Sequence, residues 1–360
     1  MSDVLLLFSN CISVRGAQRS TICDLQRNYF FYIPNGLFDL FGEKRYVDVH
    51  KVAKELPDDQ KIIMDDYIDF LIKEELAFYC DERDLGNFPE LSTEFIFPAH
   101  ISNCILDSDG TLEYFDGEFI AQLEALCCYF VQFRFFKPPE QKLLTNILEL
   151  VNESAIKSVE FIMPFSAGSV FLTFLTDWTA RSKKIQAIIL HSADGRECIR
   201  EPDYYGAGMI YKTDQVIEDE THCGVIDLSE MTPNVLHYTE SLSFNSCLNR
   251  KLAIDKDGYI KNCPSMNNNF GHIRKDSIIQ IAHQREFRRI WEIRKDQVSK
   301  CRDCEHRYIC TDCRAYLEDP RDIYSAPLKC GYDPYTSTWD KWDSAPPKAE
   351  IFKRYRSNSF

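Results

Sequence analysis

Cys301-Arg302-Asp303-Cys304-Glu305-His306-Arg307-Tyr308-Ile309-Cys310-Thr311-Asp312-Cys313 sets four thiols in the spacing C-x2-C-x5-C-x2-C. Upstream, Cys247 and Cys263 bracket Gly258 as C-x10-G-x4-C, and Cys330 follows downstream. Seven of the fifteen cysteines therefore fall between residues 247 and 330. Thiolates hold iron or zinc several to a site and need tight turns to converge on one point. Core packing does not require such steps, so this part of the chain reads as a metal scaffold.

Outward from it, residues 252–255 and 259–262 flank Lys256-Asp257-Gly258. Asp-Gly between alternating runs is a strong hairpin signal, because the turn needs a left-handed backbone that glycine adopts freely. The hairpin predicts that Cys247 and Cys263 come close together. Residues 277–293 then show helical spacing in Ile278, Ile281, Ala282, Phe287, Ile290 and Trp291. Residues 241–343 thus form one expected cysteine-rich domain.

Residues 93–240 alternate strand and helix signals, which predicts an α/β unit with parallel pairing and a partial or complete barrel. The expected strands are 99–106, 128–136, 158–164, 184–190 and 209–212, and the expected helices 117–126, 139–151 and 168–181. Pro138 and Pro139 suit the start of the second helix. Residues 1–90 predict a smaller unit with strands 4–8, 20–25 and 29–33 and a turn at Pro34-Asn35-Gly36. A helix over 58–75 presents Ile62, Ile63, Tyr67, Phe70 and Leu71 as its apolar face, and strand 77–80 closes the unit in winged-helix proportions. Residues 81–91 read as a polar linker.

With 44% hydrophobic residues the 360-residue chain can bury a full core. Its 42 Lys+Arg against 56 Asp+Glu give a net charge of -14, which opposes docking on nucleic acid. The basic tail, 344–360 with Lys348, Lys353, Arg354 and Arg356, reads as a solvated terminus. No run approaches the roughly 20 apolar residues of a membrane span, and the start lacks a secretory signal. The expectation is a cytoplasmic protein without membrane contact, in which clustered thiols serve metal rather than disulfides.

The region from Cys247 to Cys330 resembles the SPASM domain, the auxiliary iron-sulfur domain of many radical SAM peptide-modifying enzymes. The likeness extends through Phe8-Ser9-Asn10-Cys11-Ile12, Ile22-Cys23-Asp24-Leu25-Gln26-Arg27, Asn245-Ser246-Cys247-Leu248-Asn249-Arg250-Lys251, Tyr308-Ile309-Cys310-Thr311-Asp312-Cys313-Arg314-Ala315-Tyr316 and Leu328-Lys329-Cys330-Gly331-Tyr332. Together these resemble the SPASM-domain peptide maturases of the grasp-with-spasm type. The resemblance implies two [4Fe-4S] clusters. Cys301, Cys304, Cys310 and Cys330 would hold one completely, while Cys247, Cys263 and Cys313 would supply three ligands to the other. The fourth position of the second is open to substrate or to a distant residue such as Cys223, and Ser241 stands where some relatives carry an extra cysteine. The last step here is C-x2-C, where SPASM domains often have C-x3-C. From spacing alone, one zinc on Cys301, Cys304, Cys310 and Cys313 is the alternative, with Cys247, Cys263 and Cys330 as buried thiols.

No cysteine has partners at plus four and plus seven, so the C-x3-C-x2-C triplet of radical SAM chemistry is missing; residues 99–107 offer Cys104 alone. The expectation is a degenerate radical-SAM-like partial (β/α) barrel that does not cleave S-adenosylmethionine. The resemblance further implies a winged-helix-like unit that recognises the leader of a precursor peptide along an edge strand, beside an ATP-grasp peptide ligase. Two rival readings are a redox-active iron-sulfur enzyme using an open cluster site and a zinc-stabilised interaction module. No catalytic residue stands out. Cys11, Cys23, Cys80, Cys127 and Cys128 read as packing residues, and His191, His222 and His272 as surface or hydrogen-bonded histidines, with His222-Cys223, shortly upstream of the cluster, as the exception worth testing.

Overall fold

The structure, a computed structural model, describes residues 3–356 apart from residues 43, 167 and 345. Strands β1 (Asp3–Leu7), β2 (Cys11–Arg15), β3 (Arg19–Asp24), β4 (Tyr29–Pro34), β5 (Tyr46–Val47) and β6 (Ala77–Asp81) form two three-stranded antiparallel sheets, ordered β5-β1-β6 and β2-β3-β4. Helices α1 (Asn35–Phe41), α2 (Val49–Glu55) and α3 (Asp58–Lys73) accompany them. Pro34-Asn35-Gly36 is not a turn but the start of α1: extended Pro34 is its N-cap, and Asn35 accepts a hydrogen bond from Ser20 Oγ at 2.6 Å. The buried face of α3 also differs from expectation. Met64, Ile68 and Leu71 pack with Leu5, Leu37 and Phe41, whereas Ile62 and Ile63 are 66% and 48% exposed. Both sets obey helical spacing, and only the position of the neighbouring sheet chooses between them.

The central sheet takes β7 (Asn103–Ser108), β8 (Phe130–Phe135), β9 (Ser158–Pro164), β10 (Ile185–His191), β11 (Glu197–Arg200) and β12 (Met209–Lys212). Helices α4 (Gly117–Ala125), α5 (Gln141–Glu153) and α6 (Ser169–Ala180) lie between the strands in sequence. With the hairpin β13 (Lys251–Ile254) and β14 (Ile260–Lys261), the order is β11-β12-β10-β9-β8-β7-β13-β14. The run from β12 to β13 is parallel, and antiparallel β11 and β14 form the two open edges. Phe133 stacks on Phe161 at 4.9 Å between centroids, and Trp178 meets Phe161 edge-on at 4.7 Å, so β8, β9 and α6 share one aromatic core. β13 pairs with β7 from Lys251↔Asn103 to Ile254↔Leu106, so the cysteine-rich region extends this same sheet.

Beyond it lie α7 (Val235–Ser243), α8 (Ile278–Ala282), α9 (Arg285–Arg288), the short pair β15 (Tyr332–Asp333) and β16 (Thr338–Trp339), and α10 (Pro346–Arg356). The helix expected over 277–293 is broken into α8, α9 and a 3-10 turn: extended Gln284 separates α8 from α9, Asn262 Nδ2 takes the Phe287 carbonyl at 2.9 Å where α9 ends, and the Asn245 N–H takes that of Trp291 at 2.7 Å. The basic tail is not a frayed end: α10 lays Ile351, Phe352 and Tyr355 against Tyr316, Cys313 and Leu328. Val14, Cys23, Leu25, Tyr238 and Ile309 form a further shared core that joins the β2-β3-β4 sheet to α7 and the cysteine run. Among the described residues no helix is long and apolar enough to cross a membrane.

Candidate metal centre

The irregular segment after Val298 makes a 3-10 turn at Cys301–Asp303, and Cys304 N–H bonds back to the Cys301 carbonyl at 3.0 Å. This brings Cys301 and Cys304 to one wall of a cavity whose other sulfurs are Cys310 and Cys330. Cys330 is delivered by the Ile226↔Cys330 bridge and held by Lys348 Nζ, which donates to its carbonyl at 2.6 Å. Buried Lys295, on the same cavity, donates from Nζ to the Thr311 carbonyl at 2.9 Å. Burial works against its ammonium charge, yet Cys310, Cys301 and Asp312 hold its pKa above the usual lysine range.

Cys313, the last member of the run, does not line this cavity. It faces Gly224, where an added Cβ would come within 2.8 Å of its sulfur; Gly224 is also left-handed at φ +84°, so a side chain there is excluded twice over. The charge neighbours of the Cys263 thiol are Cys247, Lys251, Cys223 and Cys313. The β13–β14 hairpin sets Cys247 and Cys263 at its two feet, with Gly258 at φ +88° in the turn. Lys251 Nζ lies 3.5 Å from Cys247 Sγ. Burial opposes the Lys251 charge too, and Cys247 and Cys263 raise it.

The eight thiols therefore fall into two groups, each with its own lysine. Burial pushes Cys301 and Cys263 up to about 12 and Cys313 to about 11, so these three thiols stay protonated at neutral pH when bare and a metal must displace their protons. Four thiolates on one zinc lie about 3.8 Å apart, whereas the corners of a [4Fe-4S] cluster hold them about 6 Å apart. Among the described residues, the one set of three candidate ligand atoms within 4.8 Å of one another is Cys304, Glu305 and His306. No three of the eight sulfurs gather as tightly as a single zinc requires. Glu305 and His306 are already engaged, by Arg19 Nε at 2.8 Å and Tyr32 Oη at 2.9 Å. The donor set fits iron-sulfur clusters: thiols only, widely spaced, with buried cations to offset their charge.

At the C-terminal ends of β7 and β8, where sequence reading missed any site, Arg134 donates from Nε and Nη2 to the two Asp107 carboxylate oxygens at 2.6 and 2.7 Å. Both side chains are at most 2% exposed. Cys104, three residues earlier on β7 and so on its other face, lies in the core and is fully buried. Cys11, Cys23 and Cys128 are buried as well, while Cys80 and Cys127 are half-buried. His191 bonds Ser192 Oγ and the Phe135 carbonyl, and His272 bonds the Asp257 carbonyl. His222 bonds the Asp219 carbonyl at 2.7 Å and lies 3.4 Å from Cys223 Sγ.

Residues 246–305 match a family model described as SPASM, an iron-sulfur cluster-binding domain. This gives the C-terminal region a SPASM domain and implies iron-sulfur cluster binding. The matched stretch contains Cys247, Cys263, Cys301 and Cys304; Cys310, Cys313 and Cys330 follow it in sequence. No curated protein matches the chain.

Proposed function

We propose that this chain is a maturation protein for a ribosomally synthesised, post-translationally modified peptide, acting with an ATP-grasp ligase. In this reading it carries two [4Fe-4S] clusters. Cys301, Cys304, Cys310 and Cys330 hold one, and Cys247, Cys263 and Cys313 supply ligands to the other. The observation that carries it is the division of the thiols into two groups, neither with three sulfurs as close as one zinc requires and each beside a lysine that lacks a carboxylate within ion-pair distance among the described residues. When bound, such clusters supply one-electron redox capacity or a fixed anionic scaffold. Lys295 and Lys251 offset the thiolate charge on the protein side, and the apolar walls at Ile226, Met231 and Trp339 keep water from the first group.

The N-terminal unit, read as winged-helix-like, is the leader-peptide element, and the central sheet, read as a degenerate radical-SAM-like barrel, is its chassis. Among the described residues β6 pairs with β1 alone and is a sheet edge, suited to adding a peptide strand. On β6 itself Tyr79 is 49% exposed, with Asp65 and Asp69 of α3 as its charge neighbours, and Ile72 of α3 is 41% exposed. That surface fits an extended peptide with apolar anchors and basic residues. The test is co-expression of precursor and ligase with and without this chain, together with leader binding followed by fluorescence anisotropy. Tyr79→Ala is expected to weaken leader binding by about tenfold, equivalent to ~1.4 kcal/mol. Unchanged peptide modification after deletion of the chain, with no leader binding, refutes the reading.

A further inference from the structure

The geometry points to Cys223 as the fourth thiolate of the Cys247, Cys263 and Cys313 group, with the Asp107–Arg134 pair of the central sheet as its anchor. The inference rests on the two-cluster reading above and decides whether the second cluster is open to substrate. Cys223 lies outside the matched domain, 24 residues before Cys247. The fold nevertheless brings it to the group. Cys223 is a charge neighbour of both Cys263 and Lys251, and the next residue, Gly224, packs its backbone against Cys313 Sγ.

The segment is pinned on three sides. Lys329 Nζ donates to the Cys223 carbonyl at 2.7 Å, Ile226 N–H bonds the Lys329 carbonyl at 3.0 Å, and Ser265 Oγ donates to the Glu220 carbonyl at 2.9 Å. On the fourth side Arg134 Nη1 lies 2.7 Å from Cys223 Sγ and donates to it. Arg134 is 2% exposed, and its other two nitrogens, Nε and Nη2, donate to Asp107. With Asp107 balancing its charge, Arg134 aims a further donor at this sulfur, and such a bond is strongest when the sulfur is a metal-bound thiolate rather than a free thiol. The strand ends of the central sheet thus hold no thiol triplet but serve the neighbouring cluster, by orienting one ligand and donating a hydrogen bond to it. Such bonds raise a cluster's reduction potential by favouring its reduced, more negative state. A cluster closed by four thiolates offers no iron to substrate, so the second cluster carries electrons or holds the fold.

Ser241 is the competitor. Its Oγ is buried and has no hydrogen-bond partner among the described residues.

The test uses the full chain purified anaerobically as wild type, Cys223→Ala and Ser241→Ala, with iron and sulfide counts and electron paramagnetic resonance before and after ferricyanide. An unanchored corner is lost on oxidation: one electron passes to ferricyanide, one ferrous ion leaves, and a three-iron cluster with a characteristic signal remains. Cys223→Ala is expected to give that signal, or to lose one cluster with the fold retained, while wild type and Ser241→Ala keep both clusters. The signal in Ser241→Ala instead, or identical behaviour of Cys223→Ala and wild type, overturns the assignment while leaving the two-cluster reading intact. Wild type without iron and sulfide removes that reading itself. If Cys223→Ala does not fold, the apolar double variant Asp107→Leu with Arg134→Met decides. A lowered midpoint potential for one of two clusters at unchanged iron content supports the inference, and two unchanged potentials overturn it.

Discussion

Arg19→Ala should loosen the N-terminal sheet from the cysteine lobe. Arg19 of β3 donates from Nε to Glu305 Oε1 at 2.8 Å and from Nη2 to Tyr332 Oη at 3.2 Å, and its guanidinium carbon lies 3.4 Å from the centroid of the Tyr32 ring. The Glu305 side chain is 0% exposed and that of Arg19 27%. Removing one partner of a buried ion pair costs about 3–5 kcal/mol because the other charge is stranded. Partial exposure of Arg19 lets water reach the vacated space and brings the expected cost to about 2–3 kcal/mol. Four further bonds join the same surfaces, from Thr21 Oγ1 to the Glu305 carbonyl, Arg307 Nη1 to the Arg15 carbonyl, Ala17 N–H to the Asp303 carbonyl and between Tyr32 Oη and His306 Nε2. The unit should therefore open locally rather than detach. Hydrogen exchange is the suitable assay, since a cluster-bearing multidomain chain does not unfold in two states. Amides of β3 and β4 should exchange about 30- to 150-fold faster in Arg19→Ala, the equivalent of ~2–3 kcal/mol. Adding Glu305→Gln should restore about 1–2 kcal/mol of that loss, since the stranded charge is gone. Acceleration below about threefold in the single variant would refute the reasoning.

Cys330→Ala and Cys313→Ala should each lose about half of the bound iron but leave residual clusters with different electron paramagnetic resonance spectra; identical residual spectra would mean that both thiols serve one cluster. Burial raises Glu240 to about 7, with Asn249 Nδ2 bonded to its Oε1 at 2.8 Å. The folded state therefore binds its proton more tightly than the unfolded chain, and this stabilisation is full below about pH 4.5 and is lost as pH rises through about 7. Glu240→Gln should flatten the fall in melting temperature between pH 5 and pH 8, a difference of about 1–2 kcal/mol, and an unchanged slope counts against it. Truncation before α10 should uncover Tyr316 and cost about 2 kcal/mol, read as a lower melting temperature, whereas an unchanged value would show that the helix adds no stability.

Local signals carried much of the architecture. β9 and β12 begin and end where their β-rich runs predict, and the hairpin follows from Asp257-Gly258 with only small shifts at its ends. The failures share one cause. The α3 face, the end of α9 and the docked α10 are each decided by a surface far away in sequence: the β1 sheet, the side chain of Asn262 and the ring of Tyr316. The site divides in the same way. Cysteine spacing marked the scaffold, but that Cys313 turns away from Cys310 toward Gly224 is a property of the folded loop. Asp107 and Arg134 sat in strands that read as ordinary packing, 27 residues apart, with no motif to join them. Only parallel pairing of β7 with β8, which sets Asp107 opposite Arg134, makes them a pair.

The most direct test of the central claim is the iron, acid-labile sulfide and zinc content of anaerobically purified protein, with its visible spectrum. Two clusters predict about eight irons and eight sulfides per chain and negligible zinc. About one zinc and no sulfide would contradict the account and leave a zinc-stabilised interaction module in its place.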